Sequence, residues 1–180
     1  RYYSYPHQLS GGLRQRVMIG MAMVCRPKVM IADEPTTALD VTIEAQILRL
    51  MQRLCREQGT SIILITHNMG VVAEVCDYVY VMYAGKVMEQ AETFALFERT
   101  SHPYTQGLLR SIPKLDEKAK RLYTIEGVVP NLLHLPKGCS FCTRCGQARE
   151  RCFSERPKLY ETEDGHGVRC FAYEREGVFV

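Results

Sequence analysis

Apolar side chains recur with a helical period near the start of the chain and then form a short continuous run. Four of them share that spacing: Leu13, Val17, Met21 and Val24. They predict a helix that ends at Pro27. The apolar run 29–32 then predicts a buried strand, and two carboxylates, Asp33 and Glu34, follow it directly. Because open α/β sheets bind ligands at the carboxyl ends of their strands, this strand end is a candidate site.

The alternation of helix and strand patterns continues to about residue 100. A second helix is predicted after Asp40 by the apolar stripe Ile43, Ile47, Leu50 and Leu54, with a stop at Gly59. The β-branched run 61–66 predicts the next strand, and a strand–helix–strand order with short joints is typical of a parallel sheet. Four further elements are expected: a short helix over about 71–76, a strand over 78–83, its antiparallel partner over 86–90, and a helix over 93–99.

Composition limits the class of protein. The 180 residues are 46% apolar, enough for one sizeable core with a small appended module, and we expect a soluble globular protein. No apolar run approaches the roughly 18 residues that a membrane-spanning helix needs, so membrane association would require a partner. The net charge of +3 is small and dispersed, which argues against nucleic-acid binding.

The residue types at the helix start and the strand ends suit a magnesium–nucleotide site. A Gly-Gly turn, Gly11-Gly12, opens the first helix and leaves its amides and positive dipole end for a phosphate. Asp33 suits a hard cation, and Glu34, pointing the other way on an extended backbone, can act as general base. His67, near the end of the next strand, could hydrogen-bond a terminal phosphate.

In this order, these motifs resemble the nucleotide-binding subunit of an ABC transporter. The resemblance implies an α/β fold, namely the C-terminal part of a RecA-like ATPase with a mostly parallel sheet. It assigns Mg²⁺ to Asp33, catalysis to Glu34 and His67, and a D-loop at the dimer interface to Asp40. It also implies that the signature residues contact ATP held by the other subunit: Ser10, Gly11, Gly12 and Gln15. The family usually has Asp after the histidine, whereas this chain has Asn68.

The phosphate-binding loop of that family, G-x-x-x-x-G-K-[ST], is not among these 180 residues. Gly85-Lys86 fails the test because Tyr80 stands where the first glycine should be. We therefore expect the C-terminal portion of a longer subunit, inactive as an ATPase on its own.

Residues after 100 resemble the C-terminal region of the oligopeptide and dipeptide importer ATPases. The resemblance rests on the segment 102–105, His-Pro-Tyr-Thr, and on proline-containing segments at 130–132 and 135–139. We place the ATPase core at 1–100 and this extension at 101–180. Proline at this density predicts an extended path rather than a helix, and the charged stretch 114–120 predicts a linker.

Eight cysteines are unevenly distributed. Cys25, Cys55 and Cys76 lie singly in apolar patterns and are predicted to be buried. Five crowd into 139–170, which favours a metal over disulfides in a cytosolic protein. The resemblance implies a [4Fe-4S] cluster on Cys139, Cys145, Cys152 and Cys170, with Cys142 as a possible substitute. A Cys₄ zinc site is the alternative, and the cluster would serve as a structural clip or a redox sensor.

The resemblance thus implies an ATPase that energises oligopeptide or dipeptide import from the cytoplasmic face of the membrane. Its expected partners are a second ATPase subunit, identical or related, membrane permease subunits and, indirectly, an extracytoplasmic peptide-binding protein. An importer of nickel or another solute remains open, as does a non-catalytic metal-binding fragment. An ABC ATPase of translation or repair is disfavoured, because those proteins lack the His-Pro-Tyr-Thr segment and the cysteine tail.

Overall fold

A computed structural model describes residues 3–113, 123–162 and 165–174. The chain forms two compact units, Arg1–Val75 and Cys76–Val180. This division differs from the predicted boundary near residue 100 between the ATPase core and the C-terminal extension. That boundary separates functional segments and stays a prediction. The predicted linker at 114–120 lies outside the described residues. Within the described ranges, no helix is long and apolar enough to cross a membrane.

The first unit alternates helices with two strands. A 3₁₀ turn, Pro6–Gln8, leads into its five main elements: α1 Gly11–Met23, β1 Val29–Asp33, α2 Val41–Gln58, β2 Ser61–Ile65 and α3 Met69–Val75. The two strands pair in parallel, with Val29 opposite Ser61 and Asp33 opposite Ile65. Gly59 ends α2 in the left-handed conformation that glycine favours. The predicted strand–helix–strand order is therefore confirmed.

The core of the first unit lies between the two long helices and one face of the strands. It is built from Ile19 and Met23 of α1, Met30 and Ala32 of β1, and Ile47, Met51 and Cys55 of α2. The prediction of a strand buried on both faces is wrong, because burial alternates along β1 and leaves Val29 and Ile31 exposed. The described helices cover only the other face.

The face predicted for α1 is also wrong. Its buried residues are Ile19 and Met23, whereas Val17, Met21 and Val24 are 52–76% exposed. Because apolar residues occur on every side of this helix, their spacing predicts the helix but does not select its buried face. In α2 the predicted stripe is closer to the observed one, since Ile47 is buried and Ile43 and Leu54 pack against the core.

The second unit is built around an antiparallel sheet with strand order β3-β4-β6-β5. Its strands are β3 Tyr78–Tyr83, β4 Lys86–Glu92, β5 Tyr160–Glu161 and β6 Gly167–Val168. Its helices are α4 Thr93–Glu98, α5 Pro103–Arg110 and α6 Glu150–Ser154, with 3₁₀ turns at Cys142–Arg144 and Phe171–Tyr173. The predicted β3–β4 hairpin is confirmed.

Two further predictions are wrong, one about a segment and one about the burial of cysteines. The segment after residue 102 is a helix rather than an extended chain, because Pro103 occupies the first turn, where a missing N–H has no cost. Among the three single cysteines, Cys55 is buried as predicted, but Cys25 is exposed and Cys76 is half-buried. Cys25 lies just beyond the last residue of α1, so the helical pattern no longer constrains it.

Candidate functional site

The carboxyl ends of β1 and β2 bring Glu34 and His67 into contact. His67 Nδ1 lies 3.0 Å from Glu34 Oε1, and since an ionised carboxylate only accepts hydrogen bonds, the imidazole nitrogen is the donor. Glu34 N also donates to Ile65 O at 2.9 Å, which extends the strand pairing to the site. The parallel sheet thus places two residues from separate strands at one edge.

The electrostatics of this edge favour a charged glutamate. The hydrogen bond from His67 lowers the pKa of Glu34, and a second bond from Thr37 Oγ1 to Glu34 Oε2, at 3.0 Å, adds to the effect. The His67 side chain is 85% exposed, so it can meet a ligand from solvent. An ionised carboxylate beside an open imidazole is suited to accepting a proton from a bound water.

Asp33 is the exposed last residue of β1, directly before Glu34. A hard cation such as Mg²⁺ prefers carboxylate oxygens and is commonly held by one or two of them together with waters and phosphates. In the part of the chain that the structure describes, no group of three or more His, Cys, Asp or Glu side chains is placed to hold a metal. Asp33 therefore offers one carboxylate ligand to a cation, and waters and phosphates would supply the remaining ligands.

The loop between β1 and α2 is fixed by side-chain hydrogen bonds. Thr36 Oγ1 donates to Glu44 Oε1 at 2.6 Å, and Asp40 caps α2 by accepting from Ile43 N at 3.0 Å. Glu34 and Ala38 have positive φ values of 41° and 64°, so the chain turns sharply at both residues. Asp40 thus has a structural role here, and the structure does not test a role at a subunit interface.

The helix start formed by Ser10, Gly11 and Gly12 packs closely against this loop. The Ser10 side chain makes no capping hydrogen bond, which leaves the first-turn amides of α1 for an external acceptor. A Cβ atom on Gly11 would lie 3.2 Å from Leu39 Cδ2, and one on Gly12 would lie 2.8 Å from Ile43 Cγ2. The glycines therefore allow close packing, a role that the sequence analysis missed.

The signature residues and the strand-end residues remain separate in this chain. Among the described residues, no hydrogen bond or ion pair joins Ser10 or Gln15 to Asp33, Glu34 or His67. Gln15 is half-buried on α1, and Ser10 is exposed before it. The structure thus presents two polar surfaces in the first unit rather than one assembled pocket.

In the second unit, five cysteines line one cavity of about 70 Å³: Cys139, Cys142, Cys145, Cys152 and Cys170. Cys139 N donates to Cys152 O at 2.8 Å, which joins the two halves of the cavity wall. Burial raises the pKa of the Cys139 thiol to about 11 and also raises the pKa values of Cys142, Cys145 and Cys170. These four thiols are therefore protonated at neutral pH, and metal binding by them would release protons.

The donor chemistry of the cavity suits a thiolate-bound metal, but its present arrangement is not a formed ligand set. Thiolates are the ligands of iron–sulfur clusters and of Cys₄ zinc sites. The described residues, however, contain no group of three or more such side chains placed to hold a metal ion. The arrangement therefore does not support the predicted [4Fe-4S] or zinc site.

Sequence analysis also missed a buried carboxylate in the second unit. Glu89 on β4 is fully buried and accepts hydrogen bonds from Ser101 N at 2.6 Å, His102 N at 3.1 Å and His166 Nε2 at 2.7 Å. His102 in turn caps α5 by accepting from Tyr104 N at 3.0 Å. Burial opposes the charge of Glu89, but these hydrogen bonds outweigh it and lower its pKa. The network fixes the start of the His-Pro-Tyr-Thr segment.

Two family profiles match this chain in separate regions. The profile described as "ABC transporter" matches residues 1–37. The profile described as "Oligopeptide/dipeptide transporter, C-terminal region" matches residues 88–152. The first covers α1 and β1, and the second covers Glu89 with its partners Ser101 and His102, together with four of the five cavity cysteines.

Curated relatives match nearly the whole chain. The oligopeptide transport ATP-binding protein AppD of Bacillus subtilis is 55% identical, over 96% of this chain and 53% of its own length. OppD of Haemophilus influenzae, also an oligopeptide transport ATP-binding protein, is 55% identical over 93% of this chain and 51% of its own length. OppD of Escherichia coli is 54% identical over 95% of this chain and 50% of its own length. The chain thus spans about half the length of the curated relatives it matches.

A solved structure, cbiO1 from Clostridium perfringens, is described as part of the ABC transporter complex cbiONQ. The two sequences are 38% identical, and the TM-score is 0.49. The match covers 52% of this chain and 38% of the cbiO1 chain.

Proposed function

We propose a function from the premise that this chain belongs to the ABC transporter ATP-binding proteins of the oligopeptide transport group. The chain contributes to the ATP hydrolysis that energises the import of oligopeptides or dipeptides. The contact between Glu34 and His67 at the ends of two parallel strands carries the proposal. Its direct support is that a charged carboxylate and an open imidazole meet where such sheets bind ligands.

Each residue at the strand ends has a distinct role in this proposal. Glu34 orients the attacking water and accepts its proton, and His67 holds the Glu34 carboxylate through Nδ1 while its exposed ring faces the terminal phosphate. Asp33 would hold Mg²⁺, which supplies charge neutralisation at the phosphates when it is bound. The lowered pKa of Glu34 keeps this carboxylate ready to accept a proton at neutral pH.

The signature residues act on a second nucleotide. The free first-turn amides of α1 favour an anion, so Ser10, Gly11, Gly12 and Gln15 would contact the phosphates of ATP bound by a second ATPase subunit. The D-loop residue Asp40 would then lie at the interface between the two subunits. Because the signature and strand-end surfaces are separate in the chain, a pair of subunits explains both.

The proposed assembly includes membrane permease subunits, with the ATPase pair attached peripherally at the cytoplasmic face. An extracytoplasmic peptide-binding protein would deliver the solute to the permeases. The family profile over residues 88–152 supports this group of transporters. The second ATPase subunit can be a copy of this one or a related chain.

The experiment that tests the proposal is ATP hydrolysis and solute uptake by the complete transporter in lipid vesicles. We expect hydrolysis and uptake to depend on added peptide. Uptake of nickel(II) without peptide uptake would overturn the peptide assignment, and assembly without any ATP hydrolysis would overturn the ATPase.

We further propose that the loaded protein holds a [4Fe-4S] cluster at the cysteine cavity, with zinc as the alternative occupant. Its support is that five thiols line a single cavity, although they must rearrange to bind. Anaerobic purification followed by iron, sulfide and zinc analysis tests it. We expect Cys152→Ser to remove bound iron and the exposed Cys25→Ser to retain it. A protein that holds neither iron nor zinc would contradict the proposal.

A further inference from the structure

The carboxylate of Glu34 is held at both of its oxygens by residues on different loops. His67, which follows β2, binds Oε1 at 3.0 Å. Thr37, three residues after Glu34, binds Oε2 through its hydroxyl at 3.0 Å. A carboxylate with one hydrogen bond can rotate about it, whereas two donors from opposite sides fix the plane of the group.

The turn that carries Thr37 is itself fixed. Thr37 N donates to Glu34 O at 3.2 Å and Leu39 N donates to Thr36 O at 3.1 Å, so two consecutive backbone hydrogen bonds close the turn. The hydroxyl of Thr36 is bound to Glu44 on α2 at 2.6 Å. The Thr37 hydroxyl is therefore presented to Glu34 from a backbone that is tied to α2.

In the part of the chain that the structure describes, the side chains hydrogen-bonded to the Glu34 carboxylate are His67 and Thr37. The carboxylate of Glu44 on α2 accepts its hydrogen bond from Thr36 instead. Among the described residues, removing the Thr37 donor therefore leaves His67 as the side chain that holds the Glu34 carboxylate.

We propose that Thr37 is a positioning residue that orients the Glu34 carboxylate for the attack of water. This inference rests on the proposed ATPase function and deepens it. Thr37 acts through Glu34, to which its hydroxyl donates a hydrogen bond. Because Thr37 lies in the loop that leads to Asp40, it also links the orientation of the general base to the conformation of the loop placed at the subunit interface.

The test compares Thr37→Val, which removes the hydroxyl, with Thr37→Ser, which retains it. In the complete ATPase we expect Thr37→Val to lower kcat about tenfold, the loss typical of one hydrogen bond to a charged group, with an unchanged KM for ATP. Thr37→Ser should restore the rate, because it keeps the hydroxyl that donates to Glu34.

Thr93→Val is the matched control, since Thr93 also donates through its hydroxyl, to Cys76 O at 2.6 Å in the second unit. It should leave both kcat and KM unchanged. If Thr37→Val keeps the wild-type kcat while Glu34→Gln is inactive, the positioning role is overturned and the ATPase proposal stands. If Glu34→Gln itself retains turnover, the failure lies in the proposed function.

A second measurement does not require turnover. Carboxyl carbon NMR of the 180-residue chain at a fixed pH of about 7 reports the hydrogen bonding of the Glu34 carboxylate directly. We expect the Glu34 carboxyl chemical shift to change in Thr37→Val and to remain at the wild-type value in Thr37→Ser and Thr93→Val. An unchanged Glu34 chemical shift in Thr37→Val would overturn the inference.

Discussion

Gly12 lies so close to Ile43 that a Cβ atom on Gly12 would stand 2.8 Å from Ile43 Cγ2. Atoms in a packed interior do not approach so closely, so the first turn of α1 and the first turn of α2 meet only because residue 12 has no side chain. The contact joins the candidate phosphate-binding turn to the helix that follows the candidate catalytic loop.

Gly12→Ala should therefore destabilise the protein by about 1–3 kcal/mol through overpacking. Gly20 lies in the same helix with nothing within 4 Å of its would-be Cβ, so Gly20→Ala should stabilise by up to about 1 kcal/mol. Urea unfolding of both variants measures the difference. Equal changes for the two variants would contradict the close packing at Gly12.

Glu34→Gln should reduce ATP turnover of the complete subunit by about 10²–10⁴-fold, the range for loss of a general base. Binding of ATP should persist, because the amide keeps the size of the side chain and removes only its charge. Glu57→Gln provides the matched control, since Glu57 lies on α2 in a surface pair with Arg53. Phosphate release and nucleotide binding are measured together, and wild-type turnover in Glu34→Gln would exclude the role.

Gly138→Ala should disrupt the cysteine cavity. A Cβ atom at residue 138 would lie 2.2 Å from the carbonyl oxygen of Cys152, which is backbone and cannot move aside as a side chain can. We expect the cavity thiols to react faster with a thiol reagent under native conditions. Gly146→Ala is the control, because its Cβ would meet nothing within 4 Å. Equal labelling rates in the two variants would contradict the close contact.

His102 should make the stability of the metal-free chain depend on pH. Burial lowers the pKa of His102 to about 4, below the value of 6.5 for the free side chain. The unfolded chain therefore binds the extra proton first as pH falls. The free energy of unfolding is therefore highest above about pH 6.5 and falls progressively towards pH 4. The total loss is on the order of 3 kcal/mol.

The variant His102→Asn keeps an acceptor that can cap α5 and removes the titration. Thermal unfolding of both proteins between pH 7 and pH 4 gives the difference in their stability. The contributions of other titrating groups, such as Glu89, cancel in this difference. We expect the wild type to lose stability relative to the variant as pH falls. Parallel curves would contradict the effect of burial on His102.

The sequence was sufficient for the elements whose patterns are local. The Ile43–Leu54 stripe, the β-branched run 61–66 and the antiparallel pair over 78–83 and 86–90 each predicted an element that the structure contains. The placement of Glu34 and His67 at the ends of neighbouring strands was also predicted, because parallel strands deliver their ends to one edge of a sheet.

The sequence did not predict features that depend on tertiary neighbours. The buried face of α1 could not be read from a helix with apolar residues on all sides, and Pro103 was read as a helix breaker although it begins α5. Thr37 was not selected because a threonine in a loop carries no signal until its partner is known. Glu89 carries no signal in the sequence, since only folding places Ser101, His102 and His166 around it.

The Glu89 carboxylate also sets an order for the synthesis of the chain. Its imidazole partner lies 77 residues later in sequence, and at the usual pace of translation about 4–15 s separate the appearance of the two residues. Until His166 leaves the ribosome, the Glu89 carboxylate lacks its imidazole donor, and burying a partly satisfied carboxylate is unfavourable. The second unit therefore closes around Glu89 only after His166 has emerged.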